Sequence, residues 1–251
     1  MADNDSLRRL ACSIASDAAA YVAENRTATA TTKSTQTDMV TAVDKASEAR
    51  IVEALHEVRP DDGIMGEEGT GVAGTSGLQW VIDPIDGTTN FVYGYPAVSV
   101  SIACVIAASG ESIAGAVVDV GRREVFSAAK DGGAFLDDEP LTLPDGPADI
   151  GRCLVGTGFS YSAEVRAEQA EVLVQLLPAV RDIRRGGSAA LDLCWAAAGR
   201  VDAYFERGTR EWDRAAGLLI AHEVGLRGEF VGDLVWVAHP RITDELLKLI
   251  L

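Results

Sequence analysis

Asp83 and Asp86 stand in the stretch Trp80-Val81-Ile82-Asp83-Pro84-Ile85-Asp86-Gly87-Thr88-Thr89-Asn90. Trp80 to Ile82 are aromatic and β-branched residues suited to a buried strand. Asp83 ends that strand with a carboxylate, and Pro84 removes a ladder donor, so pairing is expected to stop there. Gly87 permits a tight turn, and Thr88 is the expected N-cap of a short helix. Two carboxylates would then face a helix N-terminus whose unpaired N–H groups suit a phosphate. Carboxylates repel phosphate unless cations lie between them, and hard oxygen donors of this kind suit Mg²⁺. A lone stretch of this type is more often a strand-to-turn junction with one capping and one solvated aspartate.

Three further acidic positions change that balance. Asp44 follows Asp38-Met39-Val40-Thr41-Ala42-Val43 and is the expected cap of the next helix. Glu67 and Glu68, framed by Gly66 and Gly69, follow an apolar stretch as Asp83 does. Asp213 follows Trp212 and precedes the small Ala215-Ala216-Gly217, which suggests a helix start pressed against other backbone. Each has a capping or solvated-turn explanation alone. Together they make a shared metal cluster the better account. Two or three metals beside a helix N-terminus are what phosphate-monoester hydrolysis needs, because metals neutralise phosphoryl oxygens and activate water. A nuclease would use the same parts, but the net charge of −16 argues against nucleic acid as a partner.

The elements that must position these groups can be read along the chain. With 251 residues, 47% hydrophobic and 24% charged, it can bury a large core as one domain or two lobes. Cys12, Cys104, Cys153 and Cys194 lie scattered among apolar neighbours, as expected of free thiols in a reducing compartment. Neither a signal-like N-terminus nor a membrane-length apolar run is visible, and the chain reads as cytoplasmic, with no membrane partner.

Residues 5–24 predict a helix with Leu7, Leu10, Ala11, Ile14, Ala18, Tyr21 and Val22 on one face, capped by Asp5 or Ser6. The Thr-rich stretch from Asn25 to Thr37, which carries Lys33, predicts a loop that is partly strand. Beyond the central stretch the period becomes two, and strands at Val98–Cys104, Ile113–Val120, Val125–Ala129 and Ala134–Leu136 predict an antiparallel meander. A Pro-rich shift near 137–147 places a lobe boundary, dividing residues 1–145 from 146–251. The second part predicts strands at Cys153–Thr157, 181–185, Ala203–Phe205 and Val235–Ala238. Helices are predicted at 163–178, 188–199 and from Trp212 to a stop at Gly225, and Thr243 caps a last one. The expected class is therefore mixed α+β.

These motifs resemble those of the inositol monophosphatases, in the lithium-sensitive, Mg²⁺-dependent sugar-phosphatase superfamily. The hallmarks are Gly66-Glu67-Glu68, the stretch Trp80 to Asn90, and Trp212-Asp213-Arg214-Ala215-Ala216-Gly217. Asp38 to Asp44 matches a supporting motif, with Lys33 before it, and Arg185-Gly186-Gly187-Ser188-Ala189-Ala190 matches a substrate-contacting segment. The resemblance implies a layered αβαβα sandwich, usually dimeric, with two or three Mg²⁺ per site.

It implies that Glu67, Asp83 and the Ile85 carbonyl hold one metal. Asp83, Asp86 and Asp213 would hold a second, with Glu67 helping to hold a third. Asp44 and Thr88, with Glu67, would serve the attacking water, while Glu68 and Lys33 support the site. Gly87 and Thr88 amides would hold phosphate. Gly187, Ser188, Ala189 and Glu206 would line the sugar side, with Asp86 reaching a ring hydroxyl. Relatives acting on histidinol phosphate tend to carry Lys at the position of Thr89, and those acting on 3′-phosphoadenosine phosphate tend to carry Arg. Thr89 and Glu206 therefore favour inositol monophosphate. Histidinol phosphate, fructose bisphosphate and a non-catalytic binding role remain as alternatives.

Overall fold

The computed structural model describes residues 3–26, 30–32 and 39–251, so Lys33 and Asp38 lie outside the described residues. Apolar residues at helical spacing form α1 (Asn4–Glu24), which buries Leu7, Ala11, Ile14, Ala18 and Val22. Its cap is Asp3 rather than Asp5 or Ser6, since Asp3 accepts the Asp5 amide at 3.1 Å. A short antiparallel ribbon follows, β1 (Ala30–Thr32) against β2 (Met39–Thr41), so the Thr-rich stretch is strand in part.

α2 (Ala42–Val58) begins at a capping box. Thr41, not Asp44, is its N-cap: the Thr41 hydroxyl oxygen accepts the amides of Val43 and Asp44 at 3.1 and 3.3 Å. Asp44 sits three residues in and accepts the Thr41 amide at 2.9 Å.

The first sheet contains β3 (Gly63–Gly66), β4 (Gly71–Val72), β5 (Leu78–Asp86), β6 (Ser99–Ile106), β7 (Glu111–Asp119), β8 (Val125–Ala129), β9 (Gly133–Leu136) and β10 (Glu139–Pro140). Its order is β10-β9-β8-β7-β6-β5-β3-β4. The expected meander runs from β5 to β10, and only the β3–β5 pair is parallel. Both faces are covered. Val100, Ile102 and Cys104 of β6 join a core with α1 and α2, while Ala103 and Val105 join the opposite core.

The second sheet contains β11 (Leu154–Thr157), β12 (Asp182–Arg184), β13 (Ala203–Arg207), β14 (Arg227–Val231) and β15 (Leu234–Ala238). The order β12-β11-β13-β15-β14 is parallel around β11 and antiparallel around β15. Between the sheets lie α5 (Ala189–Ala197) and α6 (Glu211–Val224), whose apolar residues pack on Ala103 and Val105 of the first sheet and on Tyr204 and Val237 of the second. The outer face of the second sheet meets α4 (Ala163–Leu176) and α7 (Thr243–Ile250) through Leu176, Leu246 and Ile250. The result is the five-layered αβαβα sandwich, of mixed α/β class. Thr243 is the first residue of α7 rather than its cap, and its hydroxyl donates to the His239 carbonyl at 3.1 Å. The small residues of α6 serve close packing: a Cβ on Gly115 of β7 would lie 3.1 Å from that of Ala216, and one on Gly217 would lie 2.7 Å from Leu193.

The approach to β5 is held by one buried carboxylate. Asp62 accepts the Trp80 indole N–H at 2.9 Å and two bonds from Arg59 at 2.7 and 3.0 Å. Burial alone would raise its pKa, but the bonds from Arg59, Ser76 and Trp80 outweigh that and hold it below the usual carboxylate value. A group whose pKa is lowered by folding stabilises above its unfolded pKa, about 4 for aspartate, and that stabilisation fades as pH falls through the folded value. We expect Asp62→Ala to cost about 3 kcal/mol at pH 7, since indole and guanidinium lose a shared buried acceptor. Urea melts should show the gap from wild type narrowing at pH 3; a gap independent of pH would contradict this role.

Candidate active site

The strand does not stop at Asp83. β5 runs on to Asp86, with Asp83 opposite Ser101 and Asp86 opposite Ser99 of β6. Three steps on β5 therefore match two on β6, which is a β-bulge at Pro84, where the ladder donor is missing. In a regular strand, residues three apart point to opposite faces. The extra residue cancels that alternation and brings Asp83 and Asp86 to one side, with 1% and 8% of their surface exposed.

Gly87 follows in the left-handed region with φ of 94°, and a Cβ there would approach the Ala97 carbonyl to 2.8 Å. Conformation and space both demand glycine. Gly87, not Thr88, is the N-cap of α3 (Thr88–Tyr93), and no side chain caps this helix. The Thr88 hydroxyl is engaged elsewhere: it lies 3.0 Å from Asp44 Oδ1 and 3.2 Å from the Ile85 carbonyl. Asp44, fully buried behind Thr88, also accepts from the amide and the hydroxyl of Thr41.

The Gly66-Glu67-Glu68 turn is tied to α2 by Glu48. That buried carboxylate accepts the Glu68 amide at 2.7 Å and the Thr70 amide and hydroxyl at 3.1 and 2.6 Å. A Cβ on Gly66 would lie 2.5 Å from Glu48 Oε2, so the glycine is there to admit the clamp. Asp213 is the third residue of α6, and its Oδ2 accepts the Arg210 amide at 2.6 Å. Asp86 Oδ2 accepts the Ser188 hydroxyl at 2.7 Å and the Ala190 amide at 2.8 Å. Ser188 itself is fully buried, caps α5 and meets Ser99 at 3.0 Å, leaving Gly187 and Ala189 on the cavity wall.

Glu206 stands near the end of β13, where Tyr204 donates to its Oε2 at 2.6 Å. Gly158, just beyond β11, leaves the space Glu206 occupies, since a Cβ there would overlap the carboxylate. Nothing in the local sequence marked Gly158, Glu48 or Tyr204 as parts of the site. Asn90 is a further brace, with its Nδ2 donating to the carbonyls of Ala97 and Gly186 at 2.7 and 2.9 Å.

Glu67, Asp83, Ile85, Asp86, Gly87, Thr88, Gly187, Ala189, Glu206 and Asp213 all line one cavity of about 670 Å³. Burial, then Glu67, Asp86 and Asp213, raises the Asp83 pKa well above the ordinary value. Burial, then Asp86, does the same to Asp213 against the Arg210 amide. Asp86 is raised by burial against its bonds from Ser188 and Ala190. Glu206 is raised by burial, with Tyr204 and Arg185 opposing. Such a wall demands positive charge, and its donors are all hard oxygens of the kind that suit Mg²⁺. Asp83, Asp86 and Asp213 each give one oxygen to a backbone amide, which fixes the carboxylate. Among the described residues, no three carboxylate, thiol or imidazole groups already close as a metal cage. The donors instead line a shared wall, and their chemistry fits the metals.

The family model described as the inositol monophosphatase family matches residues 3–235. The chain is 45% identical to the inositol-1-monophosphatase SuhB of Mycobacterium tuberculosis over 268 residues, covering 96% of this chain and 92% of that one. It is 42% identical to the Nus factor SuhB of Pasteurella multocida over 235 residues, covering 90% and 87%. Among solved structures, Mycobacterium tuberculosis SuhB superposes with a TM-score of 0.86 at 44% identity, covering 99% and 97%.

Proposed function

Because the chain belongs to the inositol monophosphatase family and so to the phosphatases, we propose that it is a Mg²⁺-dependent phosphomonoesterase that hydrolyses inositol monophosphate. The observation that supports this most is the bulge in β5, which sets Asp83 and Asp86 on one side beside the Thr88–Asp44 pair. Glu67, Asp83, the Ile85 carbonyl, Asp86 and Asp213 would hold two or three Mg²⁺ ions. When bound, the ions neutralise the phosphoryl oxygens and lower the pKa of water. The Thr88 hydroxyl has one proton for two acceptors. The Ile85 carbonyl would serve as a metal ligand, in which case the Thr88 proton would go to Asp44 and the Thr88 oxygen would be left to accept from the attacking water. Asp44 and Thr88 thus orient the water and carry its proton away. Amides of Gly87 and Thr88, at a first turn without intrahelical partners, hold the phosphate. Gly187, Ala189 and Glu206 face the polyol, with Ser188 holding Asp86 from behind.

We take the working form to be a cytoplasmic homodimer acting on a small sugar or inositol phosphate, built as lobes 1–145 and 146–251. Among the described residues, no helix is long and apolar enough to cross a membrane. The test is Mg²⁺-dependent phosphate release across inositol 1-phosphate, histidinol phosphate, fructose 1,6-bisphosphate and 3′-phosphoadenosine phosphate. Highest efficiency on inositol 1-phosphate supports the reading, and a better histidinol or fructose ester replaces it. A second reading, a regulatory binding role, is favoured by the relative named as a Nus factor at 42% identity. A protein with no Mg²⁺-dependent turnover on any ester would favour that role.

Glu206 carries the polyol contact. A ring hydroxyl donating to a carboxylate contributes roughly 1.5–3 kcal/mol. Glu206→Gln should therefore lower kcat/KM on inositol 1-phosphate by about one to two orders of magnitude. p-Nitrophenyl phosphate offers that side chain no hydroxyl and should change little. An unchanged ratio of the two efficiencies would remove Glu206 from the substrate wall.

A further inference from the structure

One buried carboxyl beside the cavity has no part in the chemistry above. Asp192 lies on α5, one turn after Ser188, with 1% of its surface exposed. Its amide donates to the Ser188 carbonyl at 2.9 Å. Its side chain lies against Gly186, where a Cβ would be 2.6 Å from Oδ1 and 2.9 Å from Oδ2. Gly186 has no positive φ, so its backbone does not require glycine, but a side chain there would displace the Asp192 carboxyl.

The Gly186–Gly187 turn is the part of the polyol-facing wall that Asp192 touches. Asn90 holds it from the other side through the Gly186 carbonyl at 2.9 Å. Among the described residues, no hydrogen bond of good geometry reaches either carboxyl oxygen of Asp192. Glu206, Asp86 and Arg185 are the charges that act on it, and the Gly187 backbone amide is the donor that favours its ionised form. Two of those three charges are negative, so a buried anion here is poorly compensated.

We propose that Asp192 is a positioning residue of the substrate pocket, whose carboxyl seats the Gly186–Gly187 turn against Asn90 and so sets the polyol-facing wall. This rests on the reading of that wall given above. Burial and the neighbouring Glu206 and Asp86 push its pKa well above the ordinary value. The carboxyl acts through its shape against Gly186, which Asn keeps and Ala does not.

The test uses Asp192→Asn, Asp192→Ala, Gly186→Ala and the double variant Asp192→Ala/Gly186→Ala in the full chain. kcat and KM are measured on inositol 1-phosphate and on p-nitrophenyl phosphate, with thermal melts alongside. Asp192→Ala should raise KM for inositol 1-phosphate by about tenfold while efficiency on p-nitrophenyl phosphate changes by less than about threefold, since only the polyol meets the displaced wall. Asp192→Asn should stay within about threefold of wild type on both esters. Gly186→Ala should be damaging alone and milder in the Asp192→Ala background, where its Cβ has room. Equal losses on the two esters, or Asn no better than Ala, would overturn the proposal. If Asp192→Ala does not fold, Gly186→Ala displaces the same carboxyl and the same ratio is read on it. Should wild type fail on inositol 1-phosphate, the substrate reading fails by itself. The ratio is then taken on the sugar phosphate the enzyme does hydrolyse, so the two failures are read separately.

Discussion

Asp213→Asn should yield a folded protein that releases phosphate at least about 10²–10³-fold more slowly than wild type. The amide keeps the shape of the carboxylate, and its carbonyl oxygen can still accept the Arg210 amide that starts α6. What is lost is a negative charge on a wall shared with Asp83, Asp86 and Glu67. That charge would attract metal but opposes folding without it, because burial and Asp86 already raise Asp213 well above the ordinary value. Calorimetry in chelator should find the melting temperature of Asp213→Asn unchanged or higher, and added Mg²⁺ should stabilise it less than wild type. Asp83→Asn should behave alike, since its carbonyl can keep the Ile85 amide bond. Near-wild-type turnover at ordinary Mg²⁺ in either variant would take that residue out of the ligand set.

Thr88→Val, which keeps shape and removes the hydroxyl, should lower kcat by about 10²–10⁴-fold, the usual span for a general acid–base group. KM should move little, because in the proposed mechanism the phosphate is held by the Gly87 and Thr88 amides and the metals. Asp44→Asn should lose about as much, and the double variant little more than either single, because in the proposed mechanism the two residues pass one proton. Asp44→Asn carries a structural cost that Thr88→Val does not. Asp44 accepts at both oxygens, from Thr41 at one and Thr88 at the other, and an amide can accept at only one. A loss of about 1–3 kcal/mol in urea melts is expected. Thr88→Ser, which keeps the hydroxyl, should retain most of the activity. Full turnover by Thr88→Val would assign proton transfer elsewhere.

Much of the molecule could be read before any coordinate. The helical stripe of α1, the alternation in β6 and the Gly225 stop after α6 are local patterns, and each appears as an element. The acidic motifs were legible because hard oxygen donors beside glycines are uncommon together, and the structure lines one cavity with Glu67, Asp83, Asp86 and Asp213. Most errors sit at element ends, although the strand β14 (Arg227–Val231) was missed altogether. Asp44, Thr88 and Thr243 all have cap-forming side chains, yet none is an N-cap. Asp44 yields that place to Thr41, while Thr88 and Thr243 stand one residue inside their helices. Propensity identifies a residue able to cap but not the residue whose backbone leaves the helix first.

The chain's own order of residue types determined the mixed α+β class, the meander and the donor chemistry, since each depends on neighbours a few positions apart. Tertiary structure decided which way those donors face. The bulge that turns Asp83 and Asp86 to one side exists only in the register of β5 against β6. The partner of Thr88 comes from α2, the clamp on the Glu67 turn from Glu48, and the room for Glu206 from Gly158. Asp192 acquires a role only because Gly186 is folded against it. Hydrogen-bond partners and excluded volume act through space over about 3 Å, and the packing of sheets and helices alone sets which residues come that close.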